Sequence, residues 1–413
     1  MIKLDDICEF INGGAWSDKE YVPNGIPVLK VSNCKPFGFS IDDINYLPIS
    51  AAKKYDKNRL QNGDVIIATV GSHPNLKDSA AGRSYIVNSL VEGYYLNQNA
   101  VCIRTFNETV LCQQYLGYLT KYYPFQHYIQ VRGRGAANQM RIAISSIKEY
   151  AFDLPSIERQ RRIADILSAY DNLIENNQKQ IKLLEKAAQR LYKEWFVDLR
   201  FPGHEMTPVV DGVPEGWAYK PLSEVFDYVR GKSYTSKELS DTTGVLMANL
   251  KNICSYGGYN RNAEKRFIGQ YKENQMLSAG DVIMGVTDMT QERRLVGHVA
   301  LVPNIGERMI FSMDLIKLIP KLTDGLFLYS ALHYGGLSKQ ISPLANGVNV
   351  LHLKPEAMMK IKMLIPCESV LKQYCRLFSS IIARIEFLQK QCDVAAEARD
   401  RLLPKLMSGE LEV

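Results

Sequence analysis

Arginine, asparagine, glutamine and lysine are the side chains that reach phosphate oxygens and base edges of a nucleic-acid duplex. The first half of this 413-residue chain groups them in VRGRGAANQMR, where Arg132, Arg134, Asn138, Gln139 and Arg141 surround Gly133 and Gly135. The arginines supply charge, and the glycines let backbone approach a phosphate closely. A solvated loop is the competing reading. The second half offers SPLANGVNVLHLK, with Asn346, Asn349, His352 and Lys354, where lower charge keeps a purely structural turn as a rival. A second pair of candidate loops follows a repeated GDVI motif. One reads GSHPNLK (Ser72, His73, Asn75, Lys77) and the other TDMTQERR (Thr287, Thr290, Gln291, Arg293, Arg294). Their compositions differ while the flanking motif agrees, as expected where two specificities share one scaffold, although any variable surface loop looks the same. Lys30, Ser32, Asn33, Lys232 and Tyr234 are further candidates.

Catalytic patterns are missing. There is no G-x-x-x-x-G-K-[ST] loop, no HExxH, no GxSxG and no Asn/Asp-Pro-Pro-aromatic tetrapeptide. The six histidines are dispersed, and the eight cysteines include no CxxC pair, so no zinc-ligand spacing exists. Asp64 and Asp281 of the GDVI motifs sit at strand entries in both halves, which favours a turn-forming role over catalysis.

The elements that position the candidate loops are written twice. LDDICEFINGG (Leu4 to Gly14) returns as LSEVFDYVRGK (Leu222 to Lys232), and LQNGDVIIATVG (Leu60 to Gly71) as LSAGDVIMGVTD (Leu277 to Asp288). AISSIKEYAFDLP (Ala143 to Pro155) matches KPEAMMKIKMLIP (Lys354 to Pro366), each expected as a β-like run ending in proline. Three matches in the same order mark a tandem duplication.

Each half continues into a long helical pattern. Ile163, Leu167, Tyr170, Ile174, Asn177, Ile181, Leu184, Ala188, Leu191 and Trp195 recur at alternating spacings of four and three. Leu371, Tyr374, Phe378, Ile381, Ile385, Leu388, Cys392, Ala395, Arg399, Leu402 and Leu406 do the same. That repeat is a coiled-coil seam, with polar Asn177 and Arg399 either setting register or lying exposed at a gap. Pro202, Pro208, Pro214 and Pro221 stiffen the connection between the halves. The second globular part therefore begins near the far end of the first helix, and the second helix must run back antiparallel. About 36 helical residues at ~1.5 Å each span on the order of 54 Å, comparable to ~15 base pairs. Two different readers held that far apart suit a target of two short segments with an unread gap.

Bulk composition is consistent with this. Hydrophobic content of 46% and charged content of 23% are globular values. The acidic MIKLDDICEF start is unlike a signal peptide, no stretch is long enough for a membrane span, and scattered cysteines fit a reducing cytosol, so a cytoplasmic location is expected. Net charge is +6, with +3 in residues 1–150 and +5 in residues 216–365, which permits a polyanionic partner on both halves.

LPSIERQRRIADIL, LYKEWFVDLRFPGHE and VPEGW closely resemble the central conserved region of type I restriction-modification specificity subunits. RDRLLPKLMSGELEV is similar to their distal region, and GDVI recurs in their target-recognition domains. The resemblance implies an internally duplicated α+β fold: two similar mixed α/β target-recognition domains separated by a long antiparallel two-helix coiled coil. The expected boundaries are 1–155 and 216–366 for the recognition domains, 156–200 for the central helix, 201–215 for the linker, and 367–413 for the distal helix and tail. It further implies a non-catalytic chain that binds double-stranded DNA, two methyltransferase subunits and restriction subunits. S-adenosylmethionine, ATP and Mg²⁺ are then used by those partners rather than bound here. Arg161, Lys182 and Lys186, on the outer helix faces, are the expected methyltransferase contacts. The alternative is a coiled-coil scaffold with two protein-binding heads, which lacks salt-sensitive DNA affinity.

Overall fold

The computed structural model describes residues 1–35, 38–41, 44–71, 80–136, 139–261 and 263–413. Tertiary contacts divide the chain into two units, Met1–Asn176 with Cys392–Val413, and Asn177–Gln391.

In the first unit the repeated GDVI motif builds the centre of a sheet. Gly63, at φ +86°, turns the chain, and the Asp64 carboxylate accepts from Gln61 N at 2.7 Å. The strand Val65–Ala68 that follows is buried along its whole length. It lies between Ala100–Thr105 and Ser84–Ile86, and Cys8–Asn12 completes the order on the far side of Ala100–Thr105, with every neighbour antiparallel. Alternation sorts the side chains. Val65, Ile67, Val101 and Ile103 pack with Leu116 and Leu119 of the helix Gln113–Lys121. Ile66 and Cys102 face Leu29, Tyr85 and Leu96. Both faces are covered, which is why the motif reads as an unbroken apolar run; each buried Val or Ile contributes about 1.5–3 kcal/mol.

The second unit repeats the plan. Phe226–Arg230, Leu315–Pro320, Val282–Gly285 and Val299–Leu301 form the same four-stranded antiparallel order. Val282 faces Leu318 as Val65 faces Ile103. Gly280 turns at φ +88°, Asp281 accepts from Ser278 N, and the helix Gly325–His333 covers one face. Two smaller signs of the duplication are structural. Ser17 with Glu20, and Thr235 with Glu238, form matching capping boxes. The matched Gly13 and Gly231 sit where a Cβ would lie 1.9 Å from Asn97 O and 2.0 Å from Ser312 O. Each closing segment differs from the expected β-like run by opening with a helical turn, Ile144–Lys148 or Pro355–Met358. The strands Ala151–Phe152 and Lys362–Ile365 then pair with Ile2–Lys3 and Ala218–Pro221.

The long helices are Ile157–Tyr192 and Glu368–Ser408. In the second unit Ile181, Ile385 and Leu388 pack together, Asn177 Nδ2 donates to Gln391 Oε1 at 3.3 Å, and Arg384 reaches Gln180 at 3.4 Å. In the first, Ile163 and Leu167 meet Leu406, and Arg399 pairs with Asp171. Ascending numbers on one helix meet descending numbers on the other, so the pairing is antiparallel in both units. Asn177 is 2% exposed, so this polar side chain lies inside the seam. Asp171 also accepts from Tyr118 OH at 2.7 Å, tying the helix Gln113–Lys121 to both long helices. Burial works to raise the Asp171 pKa, but Lys121, Arg399 and the Tyr118 hydrogen bond outweigh it and hold the carboxyl below its ordinary value. The second long helix runs through Pro404 and closes at Gly409 with φ +83°. Leu406 thereby keeps its place in the seam beyond a residue that usually ends a helix.

Candidate nucleic-acid interface

The two candidate segments of each half, distant in sequence, are brought together by the same strand pairing. In the first unit Val70–Gly71, which leaves the GDVI strand, pairs with Gln139–Arg141, and Gln139–Arg141 in turn pairs with Arg134–Ala136. In the second, Thr287–Asp288 pairs with Leu351–His352. Each unit thus joins its two segments by an antiparallel pairing, a ribbon shape that the major groove of a duplex admits; in the second, Thr287, Asp288 and Leu351 are buried, and the residues flanking them carry the exposed surface.

On the first ribbon Arg134 lies directly opposite Arg141, and both are exposed. Like charges directly opposite each other across strands repel, and neither arginine has an ion-pair partner among the described residues. Arg132 is held differently: its guanidinium stacks 3.6 Å from the Tyr128 ring centroid, and Nη1 donates to Tyr128 O. Gly133 has a packing reason as well, since a Cβ there would fall 1.5 Å from Met140 Cε, and Met140 is buried. Ser72, His73, Asn75, Lys77 and Asn138 lie outside the described residues, and Gln139 is placed by its backbone alone.

The second ribbon is organised by a residue the sequence reading passed over. Asp288 is wholly buried and accepts four hydrogen bonds. Thr290 N and Oγ1 donate to Oδ1 at 2.8 Å each, while Leu295 N and Val296 N donate to Oδ2 at 2.7 and 3.2 Å. Burial pushes its pKa up, but these donors prevail and the carboxyl stays below its ordinary value. The Asp-x-Thr spacing was the available signal, because aspartate accepts from the backbone two residues on. Within the loop that Asp288 closes, Gln291 is exposed and Nε2 donates to Val348 O at 2.9 Å, joining the two candidate segments. Arg293 takes φ +53° and is half-buried, and the Arg294 carbonyl accepts from Tyr256 N. Behind the loop, burial drives the pKa of His298 down and that of His333 to about 4, so both are neutral at pH 7. Asn346 exchanges both backbone hydrogen bonds with His352, while Asn349 and Lys354 are exposed.

The GDVI aspartates are structural partners. Asp64 receives Arg104 at 2.7 Å on both carboxylate oxygens, and Asp281 lies 3.5 Å from Lys317, a cation on the corresponding strand. Lys30 donates to Asn45, Asn33 is buried, and Tyr234 accepts from Lys265. Arg161, Lys182 and Lys186 are exposed on the first long helix. Lys186 lines a groove of about 660 Å³ with Leu183, Arg190, Trp195 and Arg200, where Arg200 is paired with Glu194. Among the described residues no group of three or more His, Cys, Asp or Glu is arranged to hold a metal, and no helix is long and apolar enough to cross a membrane.

The sequence profile described as type I restriction modification DNA specificity domain matches residues 1–186 and again 214–394. The type I restriction enzyme MjaIX specificity subunit of Methanocaldococcus jannaschii is 28% identical over 318 residues, 73% of this chain and 69% of that protein. The type I restriction enzyme HindI specificity subunit of Haemophilus influenzae is 21% identical, covering 92% of each chain. The crystal structure of the type I restriction-modification S subunit from M. genitalium shares the fold, with a TM-score of 0.58 at 16% identity over 98% of this chain and 95% of that one. With the profile matched twice across most of its length, the chain belongs to the type I restriction-modification DNA specificity family and carries that family's specificity domain in duplicate.

Proposed function

We propose that the chain is the DNA-reading subunit of a type I restriction-modification complex, with recognition domains at 1–155 and 216–366 that each read one part of an asymmetric, gapped target. The helices of 156–200 and 367–413 set the gap and dock two methyltransferase subunits, with Arg161, Lys182 and Lys186 among the contacts. The chain itself does no chemistry. Methyltransferase subunits bring S-adenosylmethionine, and restriction subunits bring ATP and Mg²⁺, in the cytoplasm. Arg132, Arg134, Asn138, Gln139 and Arg141 with Ser72, His73, Asn75 and Lys77 form the first reading surface. Gln291, Arg293, Arg294, Asn346, Asn349 and Lys354 form the second.

The observation that carries this reading is the exposed Arg134–Arg141 pair, cations facing each other across a ribbon with no described carboxylate between them. A phosphate backbone removes that repulsion, and each neutralised phosphate adds about 0.9 to the slope of log affinity against log salt. Replacing both arginines by alanine in the methyltransferase complex should lower that slope by about 1.8 and weaken binding to all sequences. An unchanged slope would contradict the placement of DNA on this ribbon.

A further inference from the structure

At the tip of the second ribbon two apolar side chains face water almost fully: Met289 is 77% and Val348 88% exposed. Met289 directly follows the strand Thr287–Asp288. Val348 shortly precedes its partner Leu351–His352, and the Gln291 amide bonded to the Val348 carbonyl closes the space between the segments. Asp288, the residue before Met289, is held by four hydrogen bonds. Gly347, at φ +153° and with only 1.9 Å between an added Cβ and Val350 O, bends the chain just before Val348. The surroundings are polar: Gln291, Asn346 and Asn349 are all exposed.

A tip that mixes amides with two uncovered apolar groups matches a base-pair edge rather than a phosphate. In the major groove amides pair with adenine, and the one apolar group on any base edge is the C5-methyl of thymine. We infer that Met289 and Val348 form a thymine-methyl contact, so that the second recognition domain reads a half-site containing a thymine whose methyl packs on these two side chains. This inference rests on the assignment of the ribbon as a DNA-reading surface and specifies what it reads.

The test uses the chain in complex with its methyltransferase partner and a duplex carrying the motif recovered from methylation mapping. Deoxyuridine replaces each thymine of the second half-site in turn, removing only the methyl. One position should bind about four-fold more weakly, the size set by burial of one methyl group, and in Met289→Ala/Val348→Ala that penalty should disappear. Uridine tolerated at every position overturns the methyl contact, as does a double variant that weakens binding equally with thymine and uridine, the behaviour of a wedge between base steps. Lys354→Glu separates this from failure of the underlying assignment. If it weakens binding while uridine is tolerated, the surface reads DNA without the methyl contact; if it has no effect, the surface assignment falls and the inference with it.

Discussion

Asp288→Asn should disable the second reading loop at a cost that follows from the four donors around the carboxylate. The substitution keeps shape and volume but leaves one acceptor oxygen. In either amide orientation, two donors that faced a carboxylate oxygen meet an NH₂ instead. A hydrogen bond to a charged group is worth about 1.5–3 kcal/mol, so losing two costs about 3–6 kcal/mol. The Thr290 hydroxyl can turn and accept from the new amide, which places the expected loss near the lower end, about 3 kcal/mol. The pH dependence has a definite sign. The folded carboxyl lies below its unfolded value of about 3.9, so its contribution is complete above that pH and disappears as pH falls through the folded value. Urea unfolding of wild type and variant should differ by about 3 kcal/mol at pH 7, with the gap narrowing below about pH 4. Binding to targets altered in the first half-site should discriminate as before, while discrimination at the second should be lost. A difference under about 0.5 kcal/mol at pH 7, or one unchanged by acid, would refute this account of the loop.

Other expectations follow from the same geometry. Arg399→Met takes one ion-pair partner from half-buried Asp171 but leaves it Lys121 and the Tyr118 hydroxyl, and should cost about 1.5–3 kcal/mol. Asp171→Leu strips all three of their carboxylate and should cost more, and a thermal-denaturation double-mutant cycle reads the 171–399 coupling. Gly13→Ala and Gly231→Ala each force a Cβ against a backbone carbonyl and should destabilise their own units by similar amounts, about 1–3 kcal/mol, in urea titrations. Arg161→Glu/Lys182→Glu/Lys186→Glu should reduce co-purification with the methyltransferase subunit without altering the circular-dichroism spectrum, since all three side chains are exposed.

Much of the framework was legible because it rests on local signals. Gly63-Asp64 and Gly280-Asp281 each turn into a buried strand as their pattern implies, and the heptad spacing placed Asn177 and Arg399 in the seam, where Asn177 is buried and Arg399 is half-buried in its ion pair with Asp171. The ribbons were not legible in the same way. The sequence offered four separate candidate segments, but their joining through Val70–Gly71 with Gln139–Arg141, and Thr287–Asp288 with Leu351–His352, depends on non-local strand pairing that no local pattern encodes. The helical turns at Ile144–Lys148 and Pro355–Met358 were hidden for a different reason, being too short for helical periodicity to register. Asp288 was readable from its threonine two residues on, although in a loop rich in cations a carboxylate does not mark a DNA-reading surface. Met289 and Val348 gave no signal, because an apolar residue in a sequence reads as core until its exposure is known.

The central claim is that this chain alone dictates which DNA sequence its complex modifies, through two different readers. The most direct measurement is co-expression with the methyltransferase subunit, followed by long-read mapping of methylated adenines. One asymmetric, gapped motif is expected, absent when the chain is omitted. Methylation at an ungapped motif, or at the same motif without the chain, would contradict it.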